Sequence, residues 1–235
     1  GEKMSGFVFK QFTVTQTRTA MKVSTDGILL GAWADVSGAK GILDIGTGTG
    51  LLALMAKQRA PEAKVSAIEI DAGACNDARE NFAASPWPDI NLFEGALQSF
   101  NAAESFDAII TNPPYFNASL KGDNHARNTA RHTDGLSFSE LIAACTRLSH
   151  GKTLLNVILP CVEAKQFIAV AEQAGWYLNR HCLVRTTEKK QPSRSLLLLS
   201  QINGECDTSS LTIHAADGSY SQDYKELCKA FYLKM

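Results

Sequence analysis

Residues 41–54 read Gly41-Ile42-Leu43-Asp44-Ile45-Gly46-Thr47-Gly48-Thr49-Gly50-Leu51-Leu52-Ala53-Leu54, and this stretch decides the fold. An apolar run of strand length, Gly41–Ile45, gives way to three glycines at alternate positions. A helical apolar pattern follows from Gly50 to about Arg59, with Leu51, Leu52, Leu54 and Met55 on it. Glycines on such a turn let the backbone take positive φ and let a ligand approach with no Cβ in the way. The spacing Gly-x-Gly-x-Gly is not the Gly-x-Gly-x-x-Gly fingerprint of dinucleotide binding. Asp44 argues the same way, because a carboxylate beside a pyrophosphate would repel it, whereas beside an ammonium it attracts. S-adenosylmethionine carries a sulfonium and an ammonium and no phosphate. Asp44, Gly46, Thr47 and Gly48 are therefore expected to hold that cofactor, against the plainer reading of a glycine turn that only packs a strand on a helix.

Outward from this unit, strands and helices alternate. Strands are expected at Val65–Ile70, Ile90–Glu94, Phe106–Thr111 and Thr153–Leu159, with helices at Ala72–Ala84, Phe138–Leu148 and Glu163–Ala174. Two longer strands near Tyr177–Thr186 and Ser195–Gln201, joined by the basic turn Glu188–Ser193, read as an antiparallel hairpin. A short strand near Leu211–His214 and a helix from Gln222 to Phe231 follow, and Asn117–Gly135 reads as a mobile loop. Alternation predicts an α/β parallel sheet wound on both faces, with ligands at the carboxyl ends of its strands. The late hairpin is unlike an all-parallel dehydrogenase sheet. It matches the Rossmann-like, class I S-adenosylmethionine-dependent methyltransferase arrangement, a seven-stranded and mostly parallel sheet. Residues 1–40 are expected to form a cap on the cofactor end, and residues 41–235 the methyltransferase domain, in one structural domain overall.

Glu69 ends the second strand, 25 residues after Asp44, where an acid can accept both ribose hydroxyls. Asp71 points to the same side in an extended chain. Glu69 is preferred, because Ile70 then follows and packs on the adenine face. After the third strand, Ala96 stands where many enzymes of this class carry an Asp for the adenine amine, so the backbone of Ala96 and Leu97 is left to read the ring.

The fourth strand runs into Asn112-Pro113-Pro114-Tyr115. This turn offers an amide side chain, a proline carbonyl that no ladder uses, and a flat ring. Together Asn112, Pro113 and Tyr115 can grip a planar nitrogen nucleophile, either an exocyclic amine or a primary amide. A glycine loop for a nucleotide-like cofactor followed by an amine clamp reads as methyl transfer. Pro-Pro by itself marks only a turn.

Composition narrows the class. Hydrophobic residues make up 45% of the 235 and charged residues 20%, as in a globular protein, and no apolar run approaches the roughly 20 residues of a membrane span. Gly1-Glu2-Lys3-Met4 leads into no apolar signal core. The six cysteines contain no Cys-x-x-Cys pair and the five histidines no ligand spacing, so no metal is expected and the thiols read as reduced. A cytoplasmic location is expected, and oligomeric state is not legible. Net charge near −1 does not announce nucleic acid, but its distribution does more. Residues 176–194 hold Arg180, Arg185, Lys189, Lys190 and Arg194 against only Glu188, and residues 115–135 add Lys121, Arg127 and Arg131. Lys189, Lys190, Arg127 and Arg131 are candidate RNA contacts, the plainer reading being a solvated surface.

Several segments carry a narrower resemblance: Phe9-Lys10-Gln11-Phe12, Ala20-Met21-Lys22-Val23-Ser24-Thr25-Asp26-Gly27-Ile28-Leu29-Leu30-Gly31-Ala32-Trp33, Leu43–Leu54, Asn112–Tyr115 and Ala230-Phe231-Tyr232-Leu233. From Gly6 to Met235 the chain resembles the bacterial tRNA1(Val) (adenine-37-N6)-methyltransferases. The resemblance implies methyl transfer from S-adenosylmethionine to N6 of the adenine 3′ of the anticodon, with the tRNA anticodon stem-loop as partner. It also implies that the Thr25-Asp26-Gly27 turn approaches the methionine end of the cofactor. Thr25 or Asp26 as a helix N-cap is an equally open reading. Release-factor glutamine methyltransferases share the Asn-Pro-Pro-Tyr turn, since a glutamine amide is planar too. They carry a separate helical domain ahead of the glycine loop, which 40 residues cannot supply. Enzymes that methylate N2 of guanine in rRNA are a third option, commonly with Phe at the Tyr115 position, and a fold that only binds RNA or protein is a fourth.

Overall fold

The computed structural model describes residues 6–15, 24–114 and 136–235. Ten strands and six helices lie in these residues. Strands β1 (Gly6–Val8) and β2 (Thr13–Thr15) form a small antiparallel hairpin. Helix α1 (Thr25–Trp33) precedes β3 (Gly41–Ile45), α2 (Leu51–Arg59), β4 (Lys64–Glu69), α3 (Ala72–Ala84), β5 (Asn91–Glu94) and β6 (Ala108–Thr111). Helix α4 (Phe138–Arg147), β7 (Leu154–Pro160), α5 (Cys161–Gln173), β8 (Tyr177–Arg185), β9 (Arg194–Ser200), β10 (Asp207–Thr212) and α6 (Gln222–Cys228) complete the chain.

The main sheet has the order β10-β8-β9-β7-β6-β3-β4-β5, and β9 alone runs against the others. The expected seven strands and late hairpin are all present. An eighth strand, β10, adds in parallel to the outer edge of β8. It begins four residues earlier than the apolar pattern suggested. Asp207-Thr208-Ser209-Ser210 is polar and exposed, so a solvated edge strand left no alternation to read.

Central strand β3 is buried on both faces at Ile42, Leu43, Asp44 and Ile45, as parallel strands covered by helices must be. Helix α2 is buried from Leu51 through Lys57, which a one-sided amphipathic helix would not be. The reason is α1, which packs on its outer face. A Cβ at Gly31 would lie 2.3 Å from Met55 Sδ, so glycine allows the two helices to touch. Arg59 then closes α1 by donating to the carbonyls of Gly31 (3.0 Å) and Ala34 (2.6 Å), groups a helix end leaves open. The hairpin β1–β2 is held by the C-terminal segment. Lys10 N donates to Phe231 O at 2.8 Å, and the rings of Phe7 and Tyr232 meet edge to face.

Two apolar clusters cover the two sheet faces, one beneath α1, α2 and α3, the other beneath α4 and α5. The chain winds β3→β4→β5 to one side and then returns to β6 on the other. That reversal opens a crevice at the carboxyl ends of β3 and β6.

Candidate active site

Register brings the expected residues to that crevice. Ile45 of β3 pairs with Ile68 of β4 and with Thr111 of β6, so Gly46, Glu69 and Asn112 all leave the sheet at one level. Ile42 and Ile110 face the α2 side, and alternation sends Asp44 and Asn112 to that side as well. Pro113 is buried and Pro114 exposed, and both lie past the last paired residue of β6, so the Pro113 carbonyl stands outside the ladder. Tyr115, Arg127 and Arg131 lie outside the described residues.

Asp44 is fully buried. The Thr47 hydroxyl donates to its Oδ2 at 2.5 Å, while Oδ1 has no hydrogen-bond partner among the described residues. Burial lifts its pKa from the ordinary 3.8 to about 7; the Thr47 hydroxyl opposes the rise and the nearby Glu69 charge adds to it. A buried carboxyl with an open oxygen beside a glycine loop is a receptor for a cation. The loop leaves room for one. Gly46 and Gly48 have φ of 75° and 57°, and a Cβ added to either meets nothing within 4 Å. Gly50 differs, since its Cβ would strike Phe82 at 2.6 Å, so it serves packing of α2 on α3.

Glu69 is an organiser of this loop. Its Oε1 accepts from Gly48 N at 2.8 Å, and its Oε2 accepts from Ile70 N and Asp71 N at 2.9 Å each. Asp71 is the N-cap of α3, accepting from Ala74 N at 2.8 Å, so its carboxylate is committed to the helix end. Ile70 is 45% exposed, an apolar face presented to solvent beside Glu69. Leu97 is buried and opens a short 3₁₀ turn, Leu97–Ser99, whose carbonyl at Leu97 is held by Arg147 Nη2 at 3.2 Å. These groups fit the ammonium, ribose and adenine of S-adenosylmethionine in order along the edge. Replacing Glu69 by Ala is expected to weaken cofactor binding at least tenfold, since a hydrogen bond to a charged acceptor contributes roughly 1.5–3 kcal/mol. It also releases three backbone amides. Calorimetric titration measures the affinity, and an unchanged dissociation constant would remove Glu69 from the site.

The N-terminus of α1 borders the same crevice. Its N-cap is Ser24, which accepts from Gly27 N at 3.3 Å, so neither Thr25 nor Asp26 caps the helix; both lie one or two residues inside it. A Cβ at Gly27 would stand 3.0 Å from Leu51, the first residue after the glycine loop. Asp26 Oδ2 accepts from Arg194 Nε at 2.8 Å. Sequence reasoning counted Arg194 only among the basic residues of the late hairpin and did not single out Asn81. Asn81 is buried on α3, and its Nδ2 donates to Thr49 O at 2.8 Å while its Oδ1 accepts from Thr15 N at 2.9 Å, tying the glycine loop to β2. No local pattern announces contacts across such separations.

On the far side, β8 runs parallel to β7, and Arg194 pairs with Pro160, so the turn at residues 186–193 projects from the same sheet edge. Lys189 and Lys190 are exposed on it, two to three strand positions from β6, or roughly 10–15 Å. Arg180 is not part of this group, because its guanidinium lies 4.6 Å over the Trp33 ring. Among the described residues no three His, Cys, Asp or Glu gather to hold a metal, and no helix is long and apolar enough to cross a membrane.

Known proteins place this site in a family. Residues 27–133 match the Methyltransferase small domain family. The tRNA1(Val) (adenine(37)-N6)-methyltransferase of Pseudoalteromonas translucida is 57% identical to this chain over 232 residues, covering 99% of this chain and 100% of that one. The chain belongs to the tRNA1(Val) (adenine(37)-N6)-methyltransferase family. The Vibrio vulnificus member is 44% identical over 235 residues, with 99% and 98% covered. Among solved structures, a predicted O-methyltransferase from Agrobacterium tumefaciens superposes with a TM-score of 0.64 at 19% identity, covering 88% of this chain and 96% of that one. That likeness is one of fold alone, the class I methyltransferase fold, and family members use S-adenosylmethionine.

Proposed function

We propose that this chain transfers the methyl group of S-adenosylmethionine to N6 of adenine 37 in the anticodon loop of tRNA1(Val). The observation that carries the reading is the placement of Asn112 one residue past Thr111, level with Gly46, in a chain so close to its relatives throughout. S-adenosylmethionine supplies an electrophilic methyl on its sulfonium. Asp44 receives the ammonium, Glu69 the ribose hydroxyls, and Ile70 and Leu97 flank the adenine. Across the crevice, the Asn112 side-chain oxygen and the Pro113 carbonyl accept from the target N6 amine, and Tyr115 stacks on the base.

An adenine amine is a poor nucleophile, because its lone pair is delocalised into the ring. Two acceptors favour a more pyramidal nitrogen and hold it in line with the methyl, and such positioning supplies much of the barrier reduction. The product nitrogen gives its proton to water, so no strong base is needed. The target must leave its stack to reach the clamp, at a cost of a few kcal/mol that is least in a single-stranded loop. The exposed Lys189–Lys190 turn supports an RNA acceptor, since it extends the crevice edge with cations.

Replacing Lys189 and Lys190 together by Ala is expected to weaken tRNA binding about equally across isoacceptors. It should flatten the plot of log affinity against log salt by about 1.5, at roughly 0.7–0.9 per lost phosphate contact. Cofactor affinity stays as it was. Filter binding at several salt concentrations gives the slope. Incubation with labelled cofactor and either bulk tRNA or a release factor, then digestion, identifies the acceptor; label in the protein alone overturns the RNA reading.

A further inference from the structure

Asp26 has two neighbours of opposite consequence. The next residue, Gly27, packs on Leu51 at the end of the glycine loop, which sets Asp26 at that end of the crevice, and the Asp26 carboxylate accepts from Arg194 at 2.8 Å. Arg194 opens β9 directly after the basic turn, so the guanidinium that holds Asp26 follows Lys189 and Lys190 by a few residues. Arg194 Nη1 also donates to Ser193 O at 3.0 Å, and both side chains keep contact with solvent, Arg194 at 32% and Asp26 at 26% exposure. A carboxylate beside a site for an ammonium is a ligand for it, and a neighbouring guanidinium competes with that ammonium for the same oxygens while repelling it. A phosphate is the natural rival for the guanidinium, because Arg binds phosphate through paired N–H groups as well as it binds carboxylate.

We propose that Arg194 is a positioning residue that couples the two substrates: an RNA phosphate drawn to the Lys189–Lys190 turn takes over the Arg194 guanidinium and frees the Asp26 carboxylate for the ammonium of the cofactor. The inference rests on the RNA reading above and adds a sign to it. RNA and cofactor each tighten the other, as linkage requires of any such coupling. A bridge that only ties α1 to the sheet would have no such effect.

The test measures S-adenosylhomocysteine, which carries the same ammonium and cannot react, by calorimetry with and without a synthetic anticodon stem-loop. In the wild-type protein the RNA should tighten the ligand about fivefold, the size expected when a partly exposed ion pair stops competing. Arg194→Gln should bind S-adenosylhomocysteine about fivefold more tightly than wild type without RNA, and RNA should then add nothing. Arg194→Lys, which keeps a cation beside Asp26, should restore most of the coupling. Asp26→Asn should bind weakly and equally with and without RNA. Equal tightening by RNA in wild type and Arg194→Gln, or weaker ligand binding by Arg194→Gln alone, would overturn the inference and leave the pair a structural tie. If the stem-loop binds wild-type protein but leaves ligand affinity unchanged, only the inference falls; if it does not bind, the RNA reading falls with it.

Discussion

Asn112→Ala is expected to lower the rate of methyl transfer about a thousandfold while cofactor affinity stays within about twofold of wild type. The size is that of removing one preorganised polar group that acts on the developing transition state. The split follows from position: Asn112 follows β6, where the proposed function puts the acceptor, whereas Asp44 and Glu69 lie on β3 and β4. Asn112→Asp keeps an acceptor oxygen in place and should recover part of the rate. A single-turnover assay on tRNA beside a calorimetric titration of the cofactor separates the effects. Wild-type turnover in Asn112→Ala would end the assignment, and a parallel loss of cofactor affinity would move Asn112 to the other side of the crevice.

Asp44→Asn should separate stability from function in opposite directions. The folded protein holds the Asp44 proton up to a pKa of about 7, against 3.8 ordinarily. Between those values the folded state binds more protons than the unfolded chain, so this residue's contribution to stability is full below about pH 4 and is lost as pH rises through 7. The difference of about three units corresponds to at most about 4 kcal/mol. The ligand-free Asn variant, which keeps an oxygen for the Thr47 hydroxyl, should therefore melt higher than wild type at pH 8 and match it near pH 4. Cofactor binding runs the other way. The ammonium attracts the ionised carboxylate, so wild-type affinity should fall as pH drops below about 7, by up to tenfold per unit. The variant should bind at least about a hundredfold more weakly at pH 8, the scale of losing one partner of a buried charge pair, with no pH dependence from this site. Melting curves from pH 4 to 8.5 and titrations from pH 5.5 to 8.5 settle both arms. A variant less stable than wild type at pH 8 would show that Asp44 is a structural acid.

The parts legible in the sequence were those written within one strand-turn-helix unit. Asp44, Gly46 and Gly48 could be read together because a strand end, its turn and the next helix are contiguous, and Glu69 followed from the same pattern one unit on. The late hairpin was legible because apolar strands flank a charged turn. Illegible features share one cause, contact between distant segments. Asp26 and Arg194 are 168 residues apart, and Asn81 reaches Thr15 across 66. Ser24, beside Thr25 and Asp26, is one of three adjacent capping candidates, and only backbone angles choose among them. On helix α2 only Leu51, Leu52, Leu54 and Met55 read as apolar, and its burial through Lys57 comes from a second helix ahead of the glycine loop.

The clasp between β1–β2 and residues 229–232 sets an order of events during synthesis. Lys10 donates from both its backbone N and its Nζ to carbonyls of Phe231 and Lys229, so this edge of the hairpin is closed only after residues 229–231 have been made. A hairpin of two three-residue strands is marginal alone. Its other tie runs through Asn81, which bonds Thr15 and Thr49 and can form once α3 is made, so β2 can dock on the glycine loop before the clasp closes. A chain lacking residues 229–235 should therefore form its sheet and keep the Asn81 tie, and lack the bonds that Lys10 makes.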